Sequence, residues 1–285
     1  MISSTRYRLT AEINRQMRLG QEISRAQVEI STGKRIQTPS DDPTGSALAS
    51  EISRTQAEEA TWLRNLATAR TLADRADTAL TAVATNLDRA NELLISAGAG
   101  TLSAENRATI ALELKAIAED MASIAGTRDA LGGELFRSNA PLEIPVSATG
   151  TLAPVSSRQE IFGNIQTAGG IADLVTILND AAAAIVEPVA ATRQAATDTA
   201  LGEIAAASEH IAATRGDHGA RANRIERLAE QLELSSIELQ DQRGEIEGVD
   251  LTEAIARLQA KQLSLQAAQA VLAQVGKTSL FDLIR

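Results

Sequence analysis

Fifteen residues, Ser31 to Gly45 (STGKRIQTPSDDPTG), bring together two glycines, two cations, two prolines and two adjacent carboxylates. Such residues could do three things. A glycine-rich loop with a lysine could cradle phosphate, paired carboxylates could hold a cation, and a Gly/Pro/Asp cluster could join two rods. The phosphate motif needs two glycines five apart before Lys-Ser/Thr, with a strand before and a helix after. Thr32-Gly33-Lys34-Arg35 lacks that frame. Gly276-Lys277-Thr278 fails too, because Val271 stands where the first glycine belongs and a helical segment precedes it. Asp41 and Asp42 lack further oxygen ligands, and calcium takes roughly six to eight.

Other candidates are equally poor. His210 and His218 are the only histidines, and the chain has no cysteine. No HExxH pattern is present, so these read as exposed or hinge histidines rather than metal ligands. Arg215-Gly216-Asp217 reads as solvated charge at a bend. No serine or threonine has a recognisable His–Asp environment. The expectation is no catalytic residue, no cofactor and no metal.

The remaining reading is a joint, and the flanking segments support it. Residues 1 to 32 predict a helix whose seven-residue repeat places Ile2, Leu9, Ile23 and Ile30 on one stripe, with Gln16 as the polar exception and Ile13 widening it. Gly33 supplies a C-terminal stop, and Lys34 and Arg35 lie where positive charge suits a helix dipole. Pro39 continues the break. Asp42 can cap a second helix with Pro43 at its first position. That helix extends to about Ala97, on the order of 80 Å at ~1.5 Å per residue. Leu66, Ala73, Leu80, Leu87 and Leu94 repeat every seven, and Ala69, Ala76, Val83, Ala90 and Ala97 follow three later. This is an a/d seam held over five heptads.

Further helices are expected from Ser103 to about Ile124, over 171–186, from 190 to 213, from 219 to 243, and from Leu251 to Val275. The last carries Leu251, Leu258, Leu265 and Leu272 on the heptad, and an apolar tail, KTSLFDLIR, ends the chain. Between 126 and 170 the turn residues and three of the six prolines predict a small β-hairpin or loop excursion, with LEIPV and a segment near QEIF as strands and SATG as a turn. The fold class expected is mainly α, an elongated antiparallel bundle or coiled coil with a small central β-hairpin or loop excursion. Three parts follow: a terminal coiled coil (1–40 with 246–285), a helical rod (41–135 with 171–245) and the excursion (136–170). Residues 244–250 form the other half of the joint.

Composition narrows the function. Net charge is −10, which opposes general binding to nucleic acid or anionic membrane, so neither is an expected partner. No apolar run approaches the roughly 18 residues of a membrane span. The start, MISSTRYRLT, has no apolar core like that of a cleaved signal. Aromatics are only 2% of residues, which suits slender helix packing better than a thick core with a pocket. A terminal pair of amphipathic helices is marginal alone and is expected to be covered by other copies. Ile2, Leu9, Ile13, Ile23, Ile30, Leu251, Leu258, Leu265 and Leu272 are therefore the expected assembly interface. Gly33, Lys34, Arg35, Pro39, Asp41, Asp42 and Pro43 form the interdomain joint.

Residues 27–52, QVEISTGKRIQTPSDDPTGSALASEI, closely resemble the N-terminal signature of the bacterial flagellin family. Filament members usually read LSSGLRINSAKDDAAG here, whereas TGKR followed by PSDDP is in the style of the hook–filament junction branch. Residues 101–125 and 215–259 resemble later family segments, and SLFDLIR at 279–285 is similar to the junction tail. His218 departs from the usual valine, and the outer β-rich domain of many members is reduced to the short excursion after ELFRSNAPLEIPV. The resemblance implies a structural, non-enzymatic subunit of the extracellular flagellum, exported without a cleaved signal peptide. It implies self-assembly as a ring or helical oligomer, with a hook-side hook-associated protein, flagellin and an export chaperone as partners. Two other readings stay open, a small filament-forming flagellin and an unrelated cytoplasmic coiled-coil scaffold.

Overall fold

The computed structural model describes residues 2–98, 102–130, 132–138 and 140–281, with the side chains of 2–6, 8, 9 and 275–281 outside the description. Among the described residues the chain runs α1 (Ile2–Thr32), α2 (Pro43–Gly98), α3 (Ala104–Ala125), β1 (Ile144–Pro145), β2 (Thr151–Leu152), α4 (Arg158–Phe162), β3 (Ile165–Thr167), β4 (Gly170–Ala172), α5 (Leu174–Val186), α6 (Ala190–Glu247) and α7 (Leu251–Phe281). The fold is the mainly helical one that the sequence implies. Two compact units divide it, residues 1–57 with 235–285 and residues 58–234.

In the first unit α1 packs on α7. The pair is antiparallel, because Lys34 bridges Gly248 while Lys261 Nζ lies 3.1 Å from Glu22 Oε2 further along. Ala26 and Ala254 are the described residues of this pair that are buried to core level, and small residues there let the backbones approach. Ile23, Ile30, Leu258, Leu265 and Leu272 are half-buried, whereas Ile13 and Leu251 are exposed. The side chains of Ile2 and Leu9 and the residues 282–285 of the predicted apolar tail lie outside the description. Gln16, the polar member of the stripe, has a buried side-chain nitrogen with no hydrogen-bond partner among the described residues. The pair therefore buries little apolar surface for its length.

The second unit is a true core. The α2 seam predicted from period seven is buried: Leu66, Ala69, Ala73, Ala76, Leu80, Val83, Leu87, Ala90 and Leu94 are all at most 2% exposed. Burying each leucine contributes roughly 1.5–3 kcal/mol. α6 runs antiparallel to α2, since His218 meets Ala73, Arg215 meets Thr81 and Arg70 meets Glu226. Arg89 joins α2 to Glu113 of α3 at 2.7 Å. α3 and α5 pack closely, with Ala118, Ala125, Ala181 and Ala182 buried. Ser103 caps α3 and Asp173 caps α5, each accepting from a backbone N–H three residues on.

Two expectations are corrected here. The breaks predicted near 214–218 and 244 are absent, and α6 is one helix of 58 residues. An isolated glycine costs only about 1 kcal/mol in a helix. Burial of Ile204, Ala207, Ile211 and Ile225 on both sides of Gly216 and Gly219 outweighs that cost. The strand segment placed near QEIF is the short helix α4. Ser157 and Glu160 form a reciprocal capping box there, which fixes helical geometry where β-propensity pointed elsewhere.

The hairpin at LEIPV-SATG is present as β1 paired with β2, Ile144 opposite Leu152. A second hairpin, β3 with β4, follows α4. Neither projects as a separate body. Phe136 and Phe162 make an edge-to-face pair at 5.2 Å. Asn65 Nδ2 of α2 donates to the Pro145 carbonyl at 2.8 Å. Ile144, Val146, Leu152, Ile161 and Ile165 belong to the same contiguous core as Leu66 and Ala73. The excursion is part of the core of this unit.

Candidate functional site: the joint of the first unit

The joint is built where two helix ends and two helix starts meet within residues 1–57 and 235–285. Gly33 ends α1 with φ of 68°, a left-handed conformation that costs an L side chain strain. That turn brings residues 33–35 alongside 247–249. Arg35 N–H donates to the Glu247 carbonyl at 2.6 Å, and Val249 N–H donates to the Gly33 carbonyl at 3.1 Å. The link after α1 and the link after α6 are thus stitched by a two-bond antiparallel crossing.

Charges reinforce it. Glu247 Oε2 accepts from Lys34 Nζ at 2.7 Å and from Arg243 Nε at 3.2 Å. The Lys34 contact, against the opposing effect of burial, holds the Glu247 carboxyl below its usual range, with Arg243 acting in the same direction. Arg35 reaches Asp42 Oδ2 at 3.1 Å and the Ile246 carbonyl at 3.3 Å. Ile246 is in the last turn of α6, where carbonyls lack helical partners. The dipole complemented by Arg35 therefore includes that of a helix 211 residues away, which no local pattern announces.

The loop itself is tied by its aspartates. Asp41 Oδ2 accepts the N–H groups of Thr38 at 2.8 Å and Gln37 at 3.1 Å. Those donors, Thr38 first, lower its pKa, and Arg25 adds to the effect. Pro39 follows Thr38 in the turn closed by Asp41 N–H donating to the Thr38 carbonyl at 3.0 Å. Asp42 Oδ1 accepts Gly45 N–H at 2.9 Å, the N-cap role, with Pro43 as the first residue of α2. Its carboxyl is lowered by that N–H and by Arg35. Ile36 is buried beneath the loop. On the other link, Asp250 Oδ1 accepts Thr252 and Glu253 N–H groups and so caps α7. A Cβ on Gly248 would collide with the Gly244 carbonyl, so the tight exit from α6 requires glycine there.

These carboxylates are occupied by N–H donors and cations, and the arrangement fixes the crossing of the two links. The structure brings Gly33, Lys34, Arg35 and Asp42 of the expected joint together with Glu247 of the 244–250 link; the sequence implies that link as a whole but does not single out the roles of Glu247, Arg243 and Asp250. Asp250 was readable as a cap before an apolar run, whereas Glu247 is singled out only by its distance contacts. His218 Nε2 donates to the Ala73 carbonyl at 2.9 Å and His210 Nε2 to the Glu160 carbonyl at 3.0 Å, so both serve packing between elements. Arg215, Gly216 and Asp217 lie inside α6, and Gly276, Lys277 and Thr278 inside α7. Among the described residues no group of three or more His, Asp and Glu could hold a metal ion, and no helix is long and apolar enough to cross a membrane.

Residues 7–140 match the model of the bacterial flagellin N-terminal helical region, and residues 201–284 that of the bacterial flagellin C-terminal helical region. The chain belongs to the flagellin family. The N-terminal match spans α1, the joint, α2 and α3, and the C-terminal match spans most of α6 and α7. The β-hairpins, α4 and α5 fall between the two. Among curated relatives, the chain is 26% identical over 290 residues to flagellar hook-associated protein 3 of Escherichia coli (strain K12), covering 90% of each. It is 34% identical over 124 residues to flagellar hook-associated protein 3 of Salmonella typhimurium, covering 42% of this chain and 36% of that one. Its fold is similar to that of Xanthomonas campestris FlgL, with a TM-score of 0.58 and 17% identity over 67% of this chain and 98% of that one. Flagellin-family proteins are structural components of the flagellum, and this chain is of that kind.

Proposed function

We propose that this flagellin-family chain joins the flagellar hook to the flagellin filament, acting as a structural subunit and not as an enzyme. The observation that carries the reading is similarity along nine-tenths of both chains to a flagellar hook-associated protein 3. The junction-style joint, TGKR followed by PSDDP, supports it.

The physical account follows from the two units. The α1–α7 pair buries too little to be a self-sufficient core, so copies of the chain complete it by assembling into a ring or helical oligomer through Ile2, Leu9, Ile13, Ile23, Ile30, Leu251, Leu258, Leu265 and Leu272. Functionally the chain divides into a terminal assembly part (1–40 with 246–285), a rod (41–135 with 171–245) and the excursion (136–170). The crossing of Gly33–Arg35 with Glu247–Val249 makes the links after α1 and after α6 move as one. A hook-side hook-associated protein and flagellin are the axial neighbours. An export chaperone holds the chain before it leaves the cell unfolded.

Deletion of the encoding gene is the test. The expected result is cells with hooks but no attached filaments, and flagellin released into the medium, with the protein localised at the hook end. Labelling along the whole filament overturns the junction reading in favour of a filament-forming flagellin. Recovery of the protein only from the cytosol overturns both.

A further inference from the structure

One helix face in each half of the first unit is exposed and unpaired. On α1, Met17, Arg18, Gln21, Ser24, Arg25 and Val28 recur at helical spacing and all are exposed, Met17 at 56% and Val28 at 44%. They lie opposite Ile23, Ala26 and Ile30, which face the α1–α7 seam. Towards the end of α6, Ile237, Glu238, Asp241 and Glu245 form a second exposed strip, with Ile237 at 58%. The first strip is apolar with two cations. The second is apolar with three carboxylates.

The two strips match in spacing as well as sign. Arg18 and Arg25 are seven residues apart, and so are Glu238 and Glu245. Seven residues are two helical turns, about 10.5 Å. Among the described residues none of these four enters an ion pair. Beside Arg25 the α1 face opens into a groove of about 410 Å³ whose lining includes Val28, Glu29, Arg35, Thr38 and Asp41. Asp41 Oδ2 is engaged with the Gln37 and Thr38 N–H groups, and Arg25, which acts on Asp41 electrostatically without a direct ion pair, is free to take a further carboxylate.

We propose that the α1 face of one copy is a docking surface for the α6 strip of a second copy of this chain, with Arg18 and Arg25 set against Glu238 and Glu245. This rests on the self-assembly reading and specifies which surfaces meet. Apolar residues at the centre exclude water and supply area, while the charge pairs set register and reject like-charged faces. The strips are different surfaces on each copy. The contact is therefore heterologous and propagates from copy to copy as a ring or helix requires.

Charge exchange tests it on the full-length protein. Self-association is measured by sedimentation velocity for wild type, for Arg18→Glu/Arg25→Glu and for Glu238→Arg/Glu245→Arg. All four positions are exposed, and an unchanged thermal unfolding midpoint checks that each variant folds. Each double variant alone is expected to associate about tenfold or more weakly, since two contacts turn repulsive. An equimolar mixture of the two is expected to recover association, because each altered face then meets its complement. Wild-type association in either variant, or failure of the mixture to recover, overturns the proposal. Loss in the arginine variant alone gives the α1 face to a different partner and overturns the α6 assignment. If wild type does not associate at any concentration or salt, the self-assembly reading fails, which is a separate result from failure of the exchange.

Discussion

Glu247→Gln is the most informative single change at the joint. It keeps shape and a hydrogen-bond acceptor but removes the charge facing Lys34 at 2.7 Å and Arg243 at 3.2 Å. The Lys34 side chain is 45% exposed and that of Glu247 15%, so solvent screens the contact. Partly exposed pairs are worth roughly 0.2–1 kcal/mol each. Two of them put the loss near 1 kcal/mol, or about fivefold in a local opening equilibrium. The backbone reporters are the amides of Arg35 and Val249, which bond across the crossing. Residue-resolved hydrogen exchange should show both exchanging about fivefold faster, with α3 and α5 amides unchanged. The pH dependence carries a fixed sign. Glu247 has a lowered folded pKa, so its contribution is present above the ordinary value of 4.5 and is lost as pH falls below that through the folded value. The difference between variant and wild type should therefore vanish in acid. Unchanged Arg35 and Val249 exchange at neutral pH would refute the claim that this carboxylate fastens the crossing, as would equal loosening of α3.

Gly33→Ala should lower stability by roughly 1–2 kcal/mol, because φ of 68° strains a side chain. Chemical denaturation followed by circular dichroism measures this, and a neutral result would mean that the turn rearranges freely. Asn65→Ala removes the bond to the Pro145 carbonyl and should cost about 1 kcal/mol in the same assay. No loss would argue that the hairpin is peripheral. Leu258→Asp and Leu265→Asp, at half-buried positions, should abolish self-association while leaving most helical signal in the monomer. Global loss of helicity would place them in an ordinary core.

The legible parts of the fold were those encoded by nearest neighbours along a helix. Period seven from Leu66 to Ala97 marked a buried seam because one helix face must be apolar where it meets α3 and α6. Gly33 and the Asp42–Pro43 pair marked a stop and a start for reasons internal to each end. The breaks assigned in α6 failed because glycine is a local signal, and tertiary burial around Ile211 and Ile225 overrode it. QEIF misled for the opposite reason, since β-propensity was weighed above the Ser157–Glu160 box that was there to be read. The contact between Lys34 and Glu247 was illegible in principle, since two common charged residues 213 positions apart carry no local signal of each other.

Charge distribution connects the joint to assembly. Residues 58–234 hold 14 Lys/Arg against 24 Asp/Glu, whereas 1–57 with 235–285 hold 13 of each. The whole net charge of −10 therefore resides on the second unit. In the assembly proposed above, a unit that is neutral overall meets copies of itself without net like-charge repulsion. The other unit has a complete core of its own and carries a net negative charge, which favours solubility and disfavours lateral contact between like units. Glu247 sits where this division is enforced: it belongs to the acidic end of α6, yet its charge is spent inside the joint on Lys34 and Arg243. Glu238, Asp241 and Glu245 remain as the carboxylates of the proposed docking strip. A single substitution at Glu247 should therefore loosen the joint and leave the docking strip intact, while Glu245→Arg should do the reverse.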